Sequence, residues 1–420
     1  MRVFIGLKEI AGYNSGLRDG LKSIGIDAHF VDLWGHKFQY DEELFSDKLI
    51  SNVRSALKSF INTPTLLNKI KYKALSVALF IRSISEYDAF IYASFTNFFS
   101  FYELKVLKLF NKKVIYIFYG SEARPAYLNG SFIKTNLDHI KKLAHQQKHS
   151  ISIIEKYADF IINHPPTAQF CKKKFILWYK IGIPFSKTTY EVTKSIPNEG
   201  VITILHAPSN PFVKGTQKII STIKNLKSEG FKINFVKITN LPNAKVLQNL
   251  QNCDFVVDEL YSDAFMAMFA TEAAYFGKPA IVCGYINQSD LGTLNENDIP
   301  PVLYSNPDKL KQSIIKLIED KQYRMALGEK AHSFVVNQWN FKKFARKYEK
   351  LLNGQPDNDW FYSPHDVQYI YGFGIQLESL KHHLRKYISK FGEKALYLNH
   401  NQALKNRLIK FAFGQKRSVD

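Results

Sequence analysis

The chain has 420 residues, is 45% hydrophobic and 22% charged, and carries a formal charge of +20 from 57 Lys and Arg against 37 Asp and Glu. The length exceeds the roughly 250 to 300 residues at which one hydrophobic core stops growing, so two domains are expected, and the composition excludes a globally disordered chain. The charge asks for an anionic partner; nucleic acid, an anionic membrane surface and phosphorylated small substrates all satisfy it, with an even spread of lysines as the plain alternative.

The opening stretch, MRVFIGLKEIAGYNSGLRDG, alternates like a strand and then turns polar, without the apolar run or small-residue cleavage site of a signal peptide. No stretch approaches the roughly 18 uninterrupted apolar residues of a spanning helix, so a soluble or peripheral protein is expected. Cys171, Cys253 and Cys283 are far apart, odd in number and without metal-ligand spacing. They predict free thiols in a reducing, cytoplasmic compartment and no metal site.

Short β-rich runs alternate with longer amphipathic ones, the pattern of βαβ units and a parallel sheet. Strands are predicted at Arg2 to Gly6, Ala28 to Leu33, Ala89 to Ala93, Val114 to Phe118 and Phe160 to Asn163, with helices at Ser15 to Ile24, Leu66 to Ile84, Phe98 to Phe110 and one ending near Tyr157. The loop after the first strand passes Gly12 and Tyr13 and opens a helix capped by Asn14 or Ser15. IYIFYGSEARP (115 to 125) ends a strand at Phe118 and projects Tyr119, Gly120, Glu122 and Arg124 toward a cleft; a local Glu122 to Arg124 ion pair is the alternative. GIPFSKTTYEVTKSIPNEG, from Gly182 to Gly200, reads as a linker.

The pattern then restarts. VITILHA (201 to 207), INFVKI (233 to 238), CDFVVDEL (253 to 260) and PAIVCGY (279 to 285) read as strands, KGTQKIISTIKNLKSEG (214 to 230) as a helix, and 308 to 352 as further amphipathic helices. LHAPSNPFVKGTQKI puts Ser209, Asn210, Lys214, Gly215 and Thr216 at a helix start, where free N–H groups and the helix dipole favour phosphate. In DAFMAMFATEAAYFGKPAIV (263 to 282), a helix from about Phe265 aligns Phe265, Phe269, Glu272 and Phe276 on one face. A carboxylate among phenylalanines needs a partner or a ligand, and one at the carboxyl end of a parallel strand can accept hydrogen bonds from a ribose diol. From about Gly354 the chain becomes aromatic and turn-rich and then basic. The tail from Lys381 suits a membrane-surface segment, a nucleic-acid arm or a solvated helix pair.

EAAYFGKPAIV resembles the Glu-Ala, Gly-x-Pro signature of retaining group-1 glycosyltransferases, which have the GT-B fold and use nucleotide-diphosphate sugars. The resemblance implies an α/β fold of two Rossmann-like domains facing a cleft, with a basic C-terminal extension: an acceptor domain over 1–190, a donor domain over 200–353 and the extension over 354–420. It implies that Glu272 binds the ribose and Lys214 the diphosphate, that Met266, Ala267 and Met268 cup the sugar, and that Gly12 lines the diphosphate. Tyr13, Tyr119, Gly120, Arg124 and Glu122 would then handle the acceptor, Glu122 in a catalytic role.

Two departures stand out. Ser209 occupies the place of the usual arginine, although Ser209 and Asn210 can donate hydrogen bonds, and Ala264 occupies that of the usual first glutamate, for which Asp263, Asp258 or Glu259 can substitute. The expected activity is transfer of a sugar to a glycan or lipid-linked acceptor in bacterial surface polysaccharide biosynthesis. No cofactor or metal is expected beyond the nucleotide-sugar co-substrate. The expected location is cytoplasmic or peripheral at the inner membrane face, with CKKKF (171 to 175) and the tail attracted to an anionic membrane surface. A degenerate GT-B glycan-binding or scaffold protein is the alternative, and a nucleic-acid partner is not expected because no such motif is present.

Overall fold

The computed structural model describes residues 1–35, 47–184, 200–292 and 294–414. Most of the predicted linker, 185–199, lies outside the described residues. The first half contains β1 (Arg2–Leu7), α1 (Tyr13–Ser23), β2 (Asp27–Asp32), α2 (Lys48–Asn62), α3 (Leu66–Glu86), β3 (Ala89–Ala93), α4 (Tyr102–Leu109) and β4 (Lys113–Ile117). It continues with α5 (Leu137–Tyr157), β5 (Phe160–Asn163), β6 (Phe175–Leu177) and α6 (Trp178–Ile181). The second half runs β7 (Ile202–His206), α7 (Thr216–Ser228), β8 (Ile233–Lys237), α8 (Asn243–Gln251), β9 (Phe255–Val257), α9 (Met268–Tyr275), β10 (Ala280–Cys283), β11 (Leu303–Ser305), α10 (Leu310–Glu319), α11 (Lys321–Gln338) and α12 (Phe341–Leu352). After these come β12 (Phe361–Tyr362), α13 (Leu377–Phe391) and α14 (Gln402–Phe413).

The strands form two sheets, ordered β12-β6-β5-β4-β3-β1-β2 and β11-β10-β9-β7-β8. All pairings are parallel except β12 with β6. Strands such as RVFIGL and AIVC are almost continuously apolar because helices cover both faces of a parallel sheet. Counted within each half, both sheets have the doubly wound order 2-1-3-4-5, which reverses direction between β1 and β3 and between β7 and β9. Ligands of such sheets bind outside the carboxyl ends of the strands at those reversals. The protein is thus α/β with two Rossmann-like sheets, the GT-B architecture.

The helix α12 crosses back from the second sheet to pack on α1. The Tyr348 and Tyr13 hydroxyls meet at 2.9 Å, and Gly20 leaves room for Ala345. Beyond it, β12 pairs antiparallel with β6 and the α13–α14 pair buries Leu380, Leu384, Tyr387, Leu404 and Leu408. The predicted extension is therefore packed, not a separate solvated tail. The YGFG segment at 371–374 stitches the two halves: the Gly130 N–H donates to Phe373 O at 2.7 Å and the Gly374 N–H to Tyr261 O at 2.8 Å.

Candidate functional site

A cavity of about 360 Å³ lies between the two sheets, walled by Tyr13 and Tyr119 on one side and Ser209, Lys214, Asn243 and Glu272 on the other. Ala267 and Met268 also line it. These residues arrive on the loops and helices that directly follow β1, β4, β7, β8 and β9, beyond the carboxyl ends of those strands. The strand order predicts a ligand there.

Glu272 sits in α9, 4% exposed, and its Oε1 accepts a 2.7 Å hydrogen bond from Asn243 Nδ2. Burial raises its carboxyl to about 7; the Asn243 hydrogen bond pulls it down and the nearby Asp258 charge pushes it up. The helix that carries it is shorter than predicted, since Phe265 precedes α9 and its N–H donates to the Tyr179 hydroxyl at 2.6 Å. Ala267 and Met268 face the cavity, whereas Met266 is fully buried in the core.

Lys214 Nζ lies 2.9 Å from Asp258 Oδ1 and 2.9 Å from Glu259 Oε2. Those two charges lift the lysine above its ordinary range against the opposing effect of burial. Asp258 in turn stays above the usual carboxylate range because burial and Glu259 outweigh the lysine, and its Oδ2 is buried without a hydrogen-bond partner among the described residues.

The expected phosphate loop differs from its sequence reading. Phe212 and Val213 donate to Asn210 Oδ1, Lys214 to Asn210 O, Gly215 to Phe212 O and Thr216 to Pro211 O, so the predicted supply of free N–H groups is already taken. Asn210 is an internal acceptor, and Thr216 is buried with its hydroxyl 2.8 Å from His206 Nε2. Gly215 has φ +71 and abuts Leu260, where a Cβ would lie 2.6 Å from that side chain. Of this loop, Ser209 and Lys214 reach the cavity.

Asp263 is no stand-in for the missing glutamate. Its Oδ2 accepts from Arg124 Nε at 2.7 Å in a buried ion pair, while its carbonyl accepts from His164 Nε2 at 2.8 Å. Arg124, expected at the acceptor, is thereby spent as a tie between the halves and stacks over Phe373 at 4.3 Å. Neither Asp258, Glu259 nor Asp263 lines the cavity.

Glu122 also lies outside it. Its carboxylate accepts from the Tyr119 N–H and is raised by burial. It forms no ion pair with Arg124, whose partner is Asp263. Gly120 (φ +149) turns the chain tightly against Arg124. Gly12, in the left-handed region, immediately precedes α1 beside the cavity without lining it. Neither Asn14 nor Ser15 caps that helix. Glu9 does so instead, its carboxylate accepting from the N–H groups of Ile10, Asn14 and Ser15 at 2.7 to 3.1 Å, and Asn14 Oδ1 accepts from the Tyr119 hydroxyl.

Among the cavity residues that escaped the sequence reading are Asn243 and Trp178. Asn243 follows β8 in ITNLPNA, a strand end whose position could have flagged it. Trp178 carries a buried Nε1 without a partner among the described residues. Its preceding strand, β6, has three residues, too few to show a period.

No protein-family model matches the chain. Over 109 residues, 26% of its length, it is 27% identical to an uncharacterized glycosyltransferase of Methanocaldococcus jannaschii. That match spans 27% of the relative. The chain is also similar to solved structures. Anabaena HepE in complex with UDP and glucose has a TM-score of 0.49 at 12% identity over 84% of this chain and 100% of that one. The catalytic domain of starch synthase IV from Arabidopsis thaliana, bound to ADP and acarbose, has 0.49 at 12% over 84% and 99%. S. aureus MnaA with UDP has 0.43 at 10% over 85% and 99%.

Proposed function

We propose that this protein is a glycosyltransferase that takes a sugar from a nucleotide-diphosphate donor and passes it to a glycan or lipid-linked acceptor in bacterial surface polysaccharide biosynthesis. The observation that carries the reading is the convergence of Ser209 and Lys214, from the loop between β7 and α7, and Glu272, from α9, on one wall of the inter-sheet cavity. Glu272 accepts a hydrogen bond from a ribose hydroxyl, which positions the anomeric carbon. The Lys214 ammonium donates to Asp258 Oδ1 and is ion-paired with Glu259; a remaining N–H stabilises negative charge gathering on the departing diphosphate.

On the acceptor side, the hydroxyls of Tyr13 and Tyr119 are occupied by Tyr348 and Asn14, so these residues present rings, and Trp178 offers its indole N–H. Among the described residues, Glu272 is the one carboxylate lining the cavity. In this reading the transfer retains configuration: the acceptor oxygen bonds to the anomeric carbon on the face from which the diphosphate oxygen leaves, and that oxygen takes the acceptor proton. The nucleotide-sugar is the sole small-molecule requirement, and the reaction is cytoplasmic.

A second reading, a GT-B glycan-binding or scaffold protein without turnover, is favoured by the internally bonded phosphate loop and the compensated lysine. Calorimetry with UDP, GDP, ADP and CMP separates the two. We expect one preferred nucleotide, a loss of roughly tenfold or more in affinity for Glu272→Ala, and release of nucleoside diphosphate from the matching donor. A folded wild type that binds none of the four overturns the enzyme reading.

A further inference from the structure

The helix α3, LLNKIKYKALSVALFIRSISE, is apolar on the side away from the protein as well as on the side that packs. Ser76, Leu79, Phe80 and Ser83 are buried, and Tyr72, Leu75 and Ile84 pack against the core. The opposite face exposes Leu66 (73%), Leu67 (75%), Ile70 (55%), Val77 (43%) and Ile81 (62%). At 3.6 residues per turn these five fall within about 100° of one another, with the exposed Ala74 inside the same arc. Lys69 and Lys73 border the stripe on one side and Lys71 on the other. None of the three has an ion-pair partner among the described residues, whereas Arg82 on the packed side is paired with Asp47. Contiguous exposed apolar surface of this kind marks an interaction site.

We infer that α3 docks flat on an anionic lipid bilayer, its leucine and isoleucine stripe in the acyl boundary and its lysines among the headgroups. Charge selects this occupant. From residue 48 to residue 85 the chain carries seven Lys or Arg and no Asp or Glu, which complements a negative surface. A second copy of the same face would set lysines against lysines. The helix lies on the membrane, since no helix among the described residues is long and apolar enough to cross one. Docking would place beside the bilayer a second cavity, about 590 Å³, in which Val77 and Tyr72 of α3 face Lys8 after β1 and Ser94 after β3. A lipid-borne group at the surface would thus reach the carboxyl edge of the first sheet. The docking itself does not rest on the donor-site reading.

The test is co-sedimentation of the full chain with phosphatidylcholine vesicles with and without phosphatidylglycerol. The variants are Leu67→Ser/Ile70→Ser/Ile81→Ser and Lys69→Gln/Lys71→Gln/Lys73→Gln. We expect binding to the phosphatidylglycerol vesicles that weakens with salt and falls roughly tenfold or more in each variant. Thermal unfolding and nucleotide binding of the variants should match the wild type, which separates loss of docking from loss of fold or of the donor site. A wild type that stays in the supernatant at low salt, or a serine variant that sediments as well as wild type, overturns the inference. So does a wild-type dimer that the serine variant turns into a monomer, because the stripe would then belong to a second copy.

Discussion

Glu272 concentrates the chemistry of the site in one group. Burial holds its carboxyl near 7, well above an unfolded glutamate at about 4.3. Between those pH values the folded chain keeps a proton that the unfolded chain has lost. The associated stability is therefore complete at low pH, drains away as pH climbs through that window and is gone above it, a change of about 4 kcal/mol. Glu272→Gln should match wild type at pH 4 and exceed it at pH 8 by up to that amount in urea unfolding, while binding nucleotide more weakly. Equal stability at both pH values would show that the carboxylate is not desolvated. Lys214 is a less clean probe, because its removal leaves Asp258 and Glu259 buried beside one another without their cation. The carboxylate at 272 was legible in the sequence because an acid inside an apolar face demands an explanation. Asn243, its partner, was not, since an asparagine in a loop is ordinary.

At the scale of elements, α9 and α3 mark where periodicity stops being informative. The predicted helix from Phe265 begins instead at Met268, with Ala267 before it extended and the Phe265 N–H donating to the Tyr179 hydroxyl of the other half. In α3 both faces are apolar, a pattern that reads as a helix buried all round, and packing against α2 and the first sheet covers only one of them. The cations that matter for a membrane reading consequently shift from the tail to α3. Lys390 and Lys405 of the tail pair with Asp138 and Glu393. The segment YGFG lacks a dinucleotide fingerprint and turns out to be a strap between the halves. Gly374 there has φ +66, and a Cβ would lie 2.3 Å from Val213 Cγ1. Gly374→Ala should lower stability by about 2 to 4 kcal/mol, read as a drop in melting temperature. An unchanged melting temperature would mean the strap yields at no cost.

The whole molecule is closed by contacts that pass repeatedly between its halves: α12 on α1, Arg124 on Asp263, and the strap. The last of these belongs to residues 354–420, which also supply β12 to the edge of the first sheet and α13 to its flank. Truncation after Gly354 should therefore leave an exposed edge strand and an uncovered apolar face, giving a chain that aggregates on expression or melts well below the full protein. A soluble, equally stable truncated chain would show the segment to be an appendage. For the same reason deletion from Lys381 would remove packed structure, whereas substitutions at the exposed positions of α3 disturb no packed surface.

Residue order by itself determined that the protein has two α/β halves, that their strands are parallel and covered on both faces, and that a carboxylate at 272 and a lysine at 214 lie near strand ends. Alternation and spacing encode those features locally. Only the tertiary structure decided that Asp263 and Arg124 neutralise each other, that the loop before α7 satisfies its own N–H groups, and that the outer face of α3 is left bare. Periodicity reports which side chains share a face; which body covers that face, and which charge meets which, depends on contacts between residues more than eighty positions apart.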